Sequence, residues 1–425
     1  MRAFRLVRRI SEFGWRPFVL TAPAACQIPL DSSLTDKVSS AVHVESVSCH
    51  SPWRHTAQWR DANGWRRATA YIAKSMAKIT EPLCPIDFDS PWIRPATRAG
   101  VSLVKRHCID LLWATTPPLS NLVVAQRVSR FCHIPYVVDY RDVIRAVEPA
   151  ALPPRQRKNV VIERGVLRDC AGITHVAPRQ ETILADRYPF VMEKPRCLVY
   201  NWFEAGDTDS CTPKQFTGPT LFHGGSLYGG MRRLDGLFAA LSLVRQSPPT
   251  AGAPPRFVQR RVGHDDAVYL ASLAAEHGVT DMIDLGPGLP RREFLSSCRG
   301  ADILLLVVGH NTGISEHADA IPGKLFDYLP AGRPILVVGP EATEAGRIVT
   351  RLNRGIAVPD DAPERIAQAI RKLLRSEGES GPLDLRPEAA SEFEASHVVG
   401  KLAGFLASVV AATSHRYHDD LKAAE

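Results

Sequence analysis

The sequence contains no Cys-x-x-Cys pair. Its nine cysteines are scattered over 425 residues, so neither a zinc framework nor a disulfide scaffold is readable, and a reducing, cytoplasmic setting is expected. Long apolar runs are also missing. None approaches the ~18 uninterrupted residues of a membrane span; the longest, 303–308 and 334–338, have the length of buried strands. Residues 1–13 are Arg-rich but lack the roughly 7–15-residue apolar core of a signal peptide. No GxSxG, HExxH or Walker A pattern occurs, and no short-period repeat is present. No basic run is interleaved with aromatics, which argues against a nucleic-acid-binding module.

What remains is an ordinary globular composition, 45% hydrophobic and 23% charged, in a chain long enough for two cores. The net charge of +7 favours anionic partners, nucleic acid, phosphorylated small molecules or a bilayer surface, without choosing between them.

In the second half, short apolar runs at 220–223, 256–258, 282–285, 302–308, 334–338 and 356–358 alternate with helical patterns. Such alternation builds βαβ units, a parallel sheet and helices on both faces. The first half repeats the pattern less cleanly, with strands expected at 17–21, 109–114, 136–139, 172–176 and 197–200. The expected division is a first domain over 1–204, a second over 205–385, and a final helix and tail over 386–425. Ligands of such sheets sit at the carboxyl ends of the strands.

Three constellations fall at such ends. Gly224 and Gly225 follow a strand, with Arg232 and Arg233 just beyond; a glycine loop before a helix suits a phosphate, and equally makes a plain tight turn. Around Pro322, Gly323, Lys324, Leu325 and Asp327 a helix is expected to start. Proline suits a first turn and leaves N–H groups open, while Asp319 and Asp327 are carboxylates suited to sugar or ribose hydroxyls. The alternative is a solvated helix surface. Asp139, Arg141 and Asp142 close a strand of the first half, either as site residues or as an internal Asp–Arg pair. His175 reads as locally packed. His264 and His317 have no metal partners in the pattern, so no metal site is expected.

Several stretches resemble the retaining glycosyltransferases of the GT-B fold, and within them glycosyltransferase family 4. Cys108-Ile109-Asp110-Leu111-Leu112-Trp113-Ala114-Thr115-Thr116-Pro117-Pro118 is similar to that family's "D-x-I-x-x-T-x-P-P" stretch. Residues 134–142 resemble its "iPyi-D-x-R-D" strand end, 222–228 its "y-x-G-x-l-Y", and 321–336 its "iP-x-K-l-f-E-Y-l-a-x-G-r-P-I-l".

The resemblance implies an α/β protein with two Rossmann-like domains facing across a cleft and a C-terminal helix crossing back to the first. It implies transfer of a sugar from a nucleotide-sugar donor to a glycan or lipid-linked acceptor, with retention and without a metal or other cofactor. Asp327 then matches the glutamate that holds the ribose. Lys324 and the amides after Pro322, Leu325 included, face the diphosphate and donor sugar, with Gly224 and Gly225 near the phosphates. Asp139, Arg141 and Asp142 face the cleft from the acceptor domain. The chain departs from the family in having Asp327 for the usual glutamate, Asp319 or Glu316 at the first acidic position, and no first strand ahead of the opening helix; a strand encoded upstream of Met1 is expected. Two rival readings share the architecture: a sugar-nucleotide epimerase and a non-catalytic binding subunit.

Residues 53–79 place Trp65, Ala68, Ile72, Met76 and Ile79 on one helical face, with Arg66, Arg67, Lys74 and Lys78 towards the other. That pattern is an interfacial helix on an anionic membrane, at the inner face, or a helix packed on its own domain.

Overall fold

The computed structural model describes residues 2–23, 42–48, 69, 72, 86–87, 89–143, 154–227, 232–248, 254–309, 321–375 and 383–424. The chain forms two compact units. One comprises Met1–Tyr200 with Val399–Glu425, the other Asn201–Val398.

The first unit opens with α1 (Arg2–Arg9), then β1 (Phe18–Thr21) and β2 (His43–Ser46), a parallel pair that forms its own two-stranded sheet. After α2 (Ile93–His107) come β3 (Leu112–Thr116), α3 (Leu119–Cys132), β4 (Tyr136–Tyr140), α4 (Pro154–Asp169), β5 (Gly172–His175), α5 (Pro178–Arg187) and β6 (Arg196–Leu198). Strands β3 to β6 pair in sequence order, all parallel. The first of them starts three residues later than expected: Cys108 takes a left-handed conformation at the end of α2, and Ile109 bonds back to Val104. Strand β2 lies outside the expected strands: three of its four residues are exposed and it carries no apolar alternation.

The second unit runs β7 (Thr220–Gly224), α6 (Asp235–Gln246), β8 (Arg256–Arg260), α7 (His264–Glu276), β9 (Ile283–Gly286), α8 (Arg291–Gly300), β10 (Ile303–Val307), α9 (Leu325–Tyr328), β11 (Ile335–Gly339), α10 (Glu344–Arg351), β12 (Gly355–Pro359) and α11 (Pro363–Leu374). Its sheet has the order β12-β11-β10-β7-β8-β9, with every pairing parallel. This is the doubly wound order, whose direction reverses between β7 and β10. Strands β10 and β11 are buried along their whole length, as parallel strands covered on both faces must be.

The units divide at Tyr200 and at Val398. Residues 201–204 and 386–398 go with the second unit for identifiable reasons. Phe203 exchanges backbone bonds with Phe393 and Ala395, and Phe393 meets the Phe326 ring edge-on at 5.7 Å. The terminal nitrogens of Arg354, fully buried, donate to the carbonyls of Leu329, Asp384 and Arg386.

The final helix, α12 (Ala395–Ala424), is long and apolar enough over Ala395–Thr413 to cross a membrane by length and composition. Its buried residues Val398, Val399, Leu402, Ala403, Leu406 and Val409 fall every three or four positions, the stripe of a helix packed on one side. Phe405 and Val409 occupy the space a side chain at Gly172, the first residue of β5, would need.

Candidate functional site

In a doubly wound sheet the crevice for a ligand lies where the strand order reverses, outside the carboxyl ends of the strands. Here the loops leaving β7 and β10 flank that point. The first begins with Gly225, directly after Gly224 at the end of β7. The second leads, through residues 310–320 outside the described set, into Pro322, Lys324 and Asp327.

The two glycines are required by close approach. A Cβ on Gly224 would collide with the Phe294 ring, and one on Gly225 with the Lys324 side chain. Phe294 in turn stacks on Tyr328 at 6.3 Å. The Gly224 N–H donates to the Tyr328 hydroxyl at 3.3 Å, and Gln259 donates to the Gly225 carbonyl at 2.6 Å. The β7 loop, α8 and α9 are therefore locked to each other, and the Lys324 amine lies against the bare face of Gly225.

Cations gather there. Burial, then the Arg232 and Arg261 guanidinium groups, pull the Lys324 ammonium down to about 7. Arg232 reaches the Ser226 carbonyl at 3.1 Å, and Arg261 is an exposed residue with φ of +69°. Beneath them His223 is fully buried, and burial, followed by Lys324 and Arg232, holds its imidazole well below its ordinary value. A neutral imidazole under a cluster of crowded cations is an arrangement that an anion relaxes. Arg260 is already committed, in a two-pronged pair with Asp284 at 3.0 and 2.9 Å.

Two expectations for this segment change. Helix α9 has only four residues, too short to present a macrodipole, so positive charge at the site comes from side chains. Leu325 is fully buried and its N–H is bonded to the Pro322 carbonyl at 2.9 Å, so it supports the turn from the core instead of reaching a ligand. Pro322 is likewise buried. Asp327 is half-buried and held by Arg291, whose Nη1 and Nη2 donate to its Oδ1 at 3.2 and 3.1 Å. Nothing in the sequence pattern singled out Arg291, 36 positions away. Asp319 and Glu316 lie outside the described residues, as does segment 53–79 apart from Thr69 and Ile72.

In the first unit, the three strand-end residues part company. Asp139 is completely buried. Arg2 donates to both its oxygens at 3.0 Å, and Thr174 donates to Oδ1 at 2.7 Å. Both oxygens are engaged inside the unit and the side chain has no exposed surface, which corrects its reading as a residue facing substrate: it fixes the strand end. The internal ion pair weighed for this segment exists, with Arg2 as the partner in place of Arg141. Arg141 donates to the Pro117 carbonyl and its own carbonyl accepts from Gln180 at 2.8 Å. Asp142 is exposed. His175 is buried, 3.2 Å from Glu181, and burial lowers its pKa. Among the described residues no His, Cys, Asp and Glu group has the geometry of a metal site. A cavity of about 590 Å³ opens elsewhere in the second unit, lined in part by Val337, Pro340, Thr343, Gly346, Arg347 and Pro359; none of the candidate residues lines it.

No family model and no curated protein matches the sequence. Solved structures do match its fold. HepE of Anabaena, in complex with UDP and glucose, is 12% identical with a TM-score of 0.62, over 96% of this chain and 95% of that one. A glycosyltransferase from Rickettsia africae ESF-5 is 9% identical with a TM-score of 0.63, over 96% and 93%. WaaG, a glycosyltransferase involved in lipopolysaccharide biosynthesis, is 14% identical with a TM-score of 0.54, over 95% and 94%. The likeness spans nearly the whole of each chain, and the fold is the two-domain, Rossmann-like GT-B architecture.

Proposed function

We propose that this protein is a glycosyltransferase, similar to family 4, that moves a sugar from a nucleoside-diphosphate sugar to a glycan or lipid-linked acceptor with retention of anomeric configuration. The observation that carries the reading is Lys324, which lies against Gly225 at the switch point of the second sheet with the charges of Arg232 and Arg261 acting on it. Cations crowded beside a carboxylate suited to a diol fit a nucleoside diphosphate. The UDP seen with HepE has the same chemistry.

In this reading Lys324, Arg232 and the backbone of Gly224 and Gly225 take the diphosphate, and Asp327 accepts hydrogen bonds from ribose hydroxyls. Negative charge grows on the departing diphosphate as the glycosidic bond breaks. Fixed cations at that position lower the barrier, so the reaction needs no metal ion. Arg141 and Asp142 serve the acceptor side, on a strand end braced by Asp139 and Arg2.

Incubation with a panel of nucleoside-diphosphate sugars and lipid-linked acceptors in the presence of a chelator tests this. Release of nucleoside diphosphate coupled to a product of unchanged anomeric configuration is expected. Conversion of the donor without transfer, or an intact donor throughout, overturns the proposal. The reading extends to a peripheral contact of segment 53–79 with anionic lipid at the inner membrane face. Flotation with anionic liposomes at low salt is the check, and protein that stays at the bottom removes that part.

A further inference from the structure

We propose that Arg291 is a positioning residue that gives the nucleotide site its preference for ribose over deoxyribose, by clamping Asp327 against an acid of the segment that opens the second unit. The inference rests on the donor site proposed above and concerns residues outside the sequence motif.

Arg291 is the first residue of α8. Both its terminal nitrogens reach the same oxygen of Asp327, at 3.2 and 3.1 Å, and Nη2 also donates to Asp207 Oδ2 at 2.9 Å. One cation thus serves two carboxylates, and all three side chains are at most about a third exposed. Burial alone lowers the pKa of a guanidinium, but Asp327 and Asp207 outweigh it and hold Arg291 above its ordinary value.

Asp207 is itself firmly placed. Its segment is pinned along α8: Arg299 donates to the carbonyls of Thr208 and Cys211 at 2.9 and 2.7 Å, and Ser296 to that of Thr212 at 2.6 Å. The chain of support runs from the segment to Arg291 to Asp327, with α9 held independently by the Phe294–Tyr328 stack.

A carboxylate recognises a sugar by accepting from its hydroxyls, and only a carboxylate already fixed in orientation does so without an ordering cost at the moment of binding. Asp327 is short, so the turn of α9 and the grip of Arg291 together set where its oxygens stand. Loss of Arg291 leaves the carboxylate in place chemically but removes the two hydrogen bonds that fix its Oδ1. What then disappears is the advantage of a ligand with hydroxyls to offer, while contacts to the diphosphate are untouched.

The test is calorimetric titration of the full-length protein with UDP, ADP and GDP, each beside its 2′-deoxy counterpart. The unmodified protein is expected to favour the ribonucleotide of its cognate base by roughly tenfold or more, the usual weight of a hydrogen bond to a charged group. Arg291→Gln is expected to bring the ratio close to one with the deoxynucleotide affinity nearly unchanged, and Arg291→Lys to restore part of it. A fall in both affinities at a constant ratio, in Arg291→Gln or in Arg291→Lys should the former not fold, overturns the inference. Absence of binding by every nucleotide to the unmodified protein overturns the donor-site reading instead, before any variant is compared.

Discussion

Arg2 and Asp139, 137 positions apart, form a buried two-pronged ion pair with both hydrogen bonds at 3.0 Å. The same guanidinium donates to the carbonyls of Val199 and Tyr200 at 3.0 and 3.1 Å. Helix α1 is in this way tied by a single side chain to the carboxyl end of β4 and to the residues that follow β6. Removing one partner leaves the other charge buried and unmatched, which costs about 3–5 kcal/mol. Arg2→Met and Asp139→Asn are each expected to lower stability by about that amount in denaturant unfolding. The two together should cost less than the sum, because the pair acts as one unit. Asp142→Asn, at an exposed position, is expected to leave the midpoint in place and reduce transfer. Equal losses from Asp139→Asn and Asp142→Asn would contradict the division of labour drawn between them.

Gly224 and Gly225 are adjacent, and alanine should act differently at each. At Gly224 the obstacle is the Phe294 ring, wedged between Phe222 and Tyr328. Overpacking of that kind costs about 1–3 kcal/mol, so Gly224→Ala should lower the melting temperature. At Gly225 the obstacle is the flexible end of Lys324, which can swing aside. Gly225→Ala should keep its stability and weaken nucleotide binding, because the displaced amine no longer meets the diphosphate. Thermal unfolding with and without nucleotide separates the two outcomes.

Nucleotide affinity should depend on pH through Lys324. In the free protein burial and neighbouring cations hold its ammonium near about 7. A bound diphosphate favours the charged form and raises that pKa, so above pH about 7 the complex holds more protons than the free protein. Linkage then requires affinity to fall as pH rises, by up to about tenfold per unit, until the pKa of the complex is reached. Calorimetry in buffers of different ionisation enthalpy should show proton uptake on binding above pH about 7. Lys324→Met should bind more weakly with a flatter profile over the same range. A parallel profile in that variant would place the titration elsewhere.

Asp327→Asn should weaken nucleotide binding roughly tenfold or more, as loss of a charged hydrogen-bond acceptor implies. The motif alone suggests an exposed helix carboxylate whose loss leaves the fold indifferent. Its pairing with Arg291 changes that expectation. The variant leaves Arg291 with Asp207 as its remaining acidic partner, and a stability loss of about 1–3 kcal/mol should accompany the loss of affinity. An unchanged nucleotide affinity would remove Asp327 from the donor site.

The strand–helix alternation of the second unit is legible in the chain because a parallel strand covered on both faces has to be apolar throughout, as Ile303–Val307 is. Once six such strands alternate with helices, right-handed crossovers leave few ways to order them, and the ligand end of the sheet follows. The glycines after β7 and the segment from Pro322 to Asp327 were legible for the same reason: each lies next to a strand end marked by composition. What the chain does not show is which distant group occupies the space or the charge at those positions. Strand β2 has no apolar pattern because three of its four residues are exposed. Arg2 meets Asp139, Arg291 meets Asp207 and Asp327, and Lys324 fills the face of Gly225 only after the sheets have closed. Periodicity is a property of neighbouring residues, whereas an ion pair or a steric fit across a hundred positions is a property of the packed unit. Tertiary structure therefore decided that Asp139 braces the fold, that Leu325 belongs to the core, and that Asp327 is held by an arginine no motif announces.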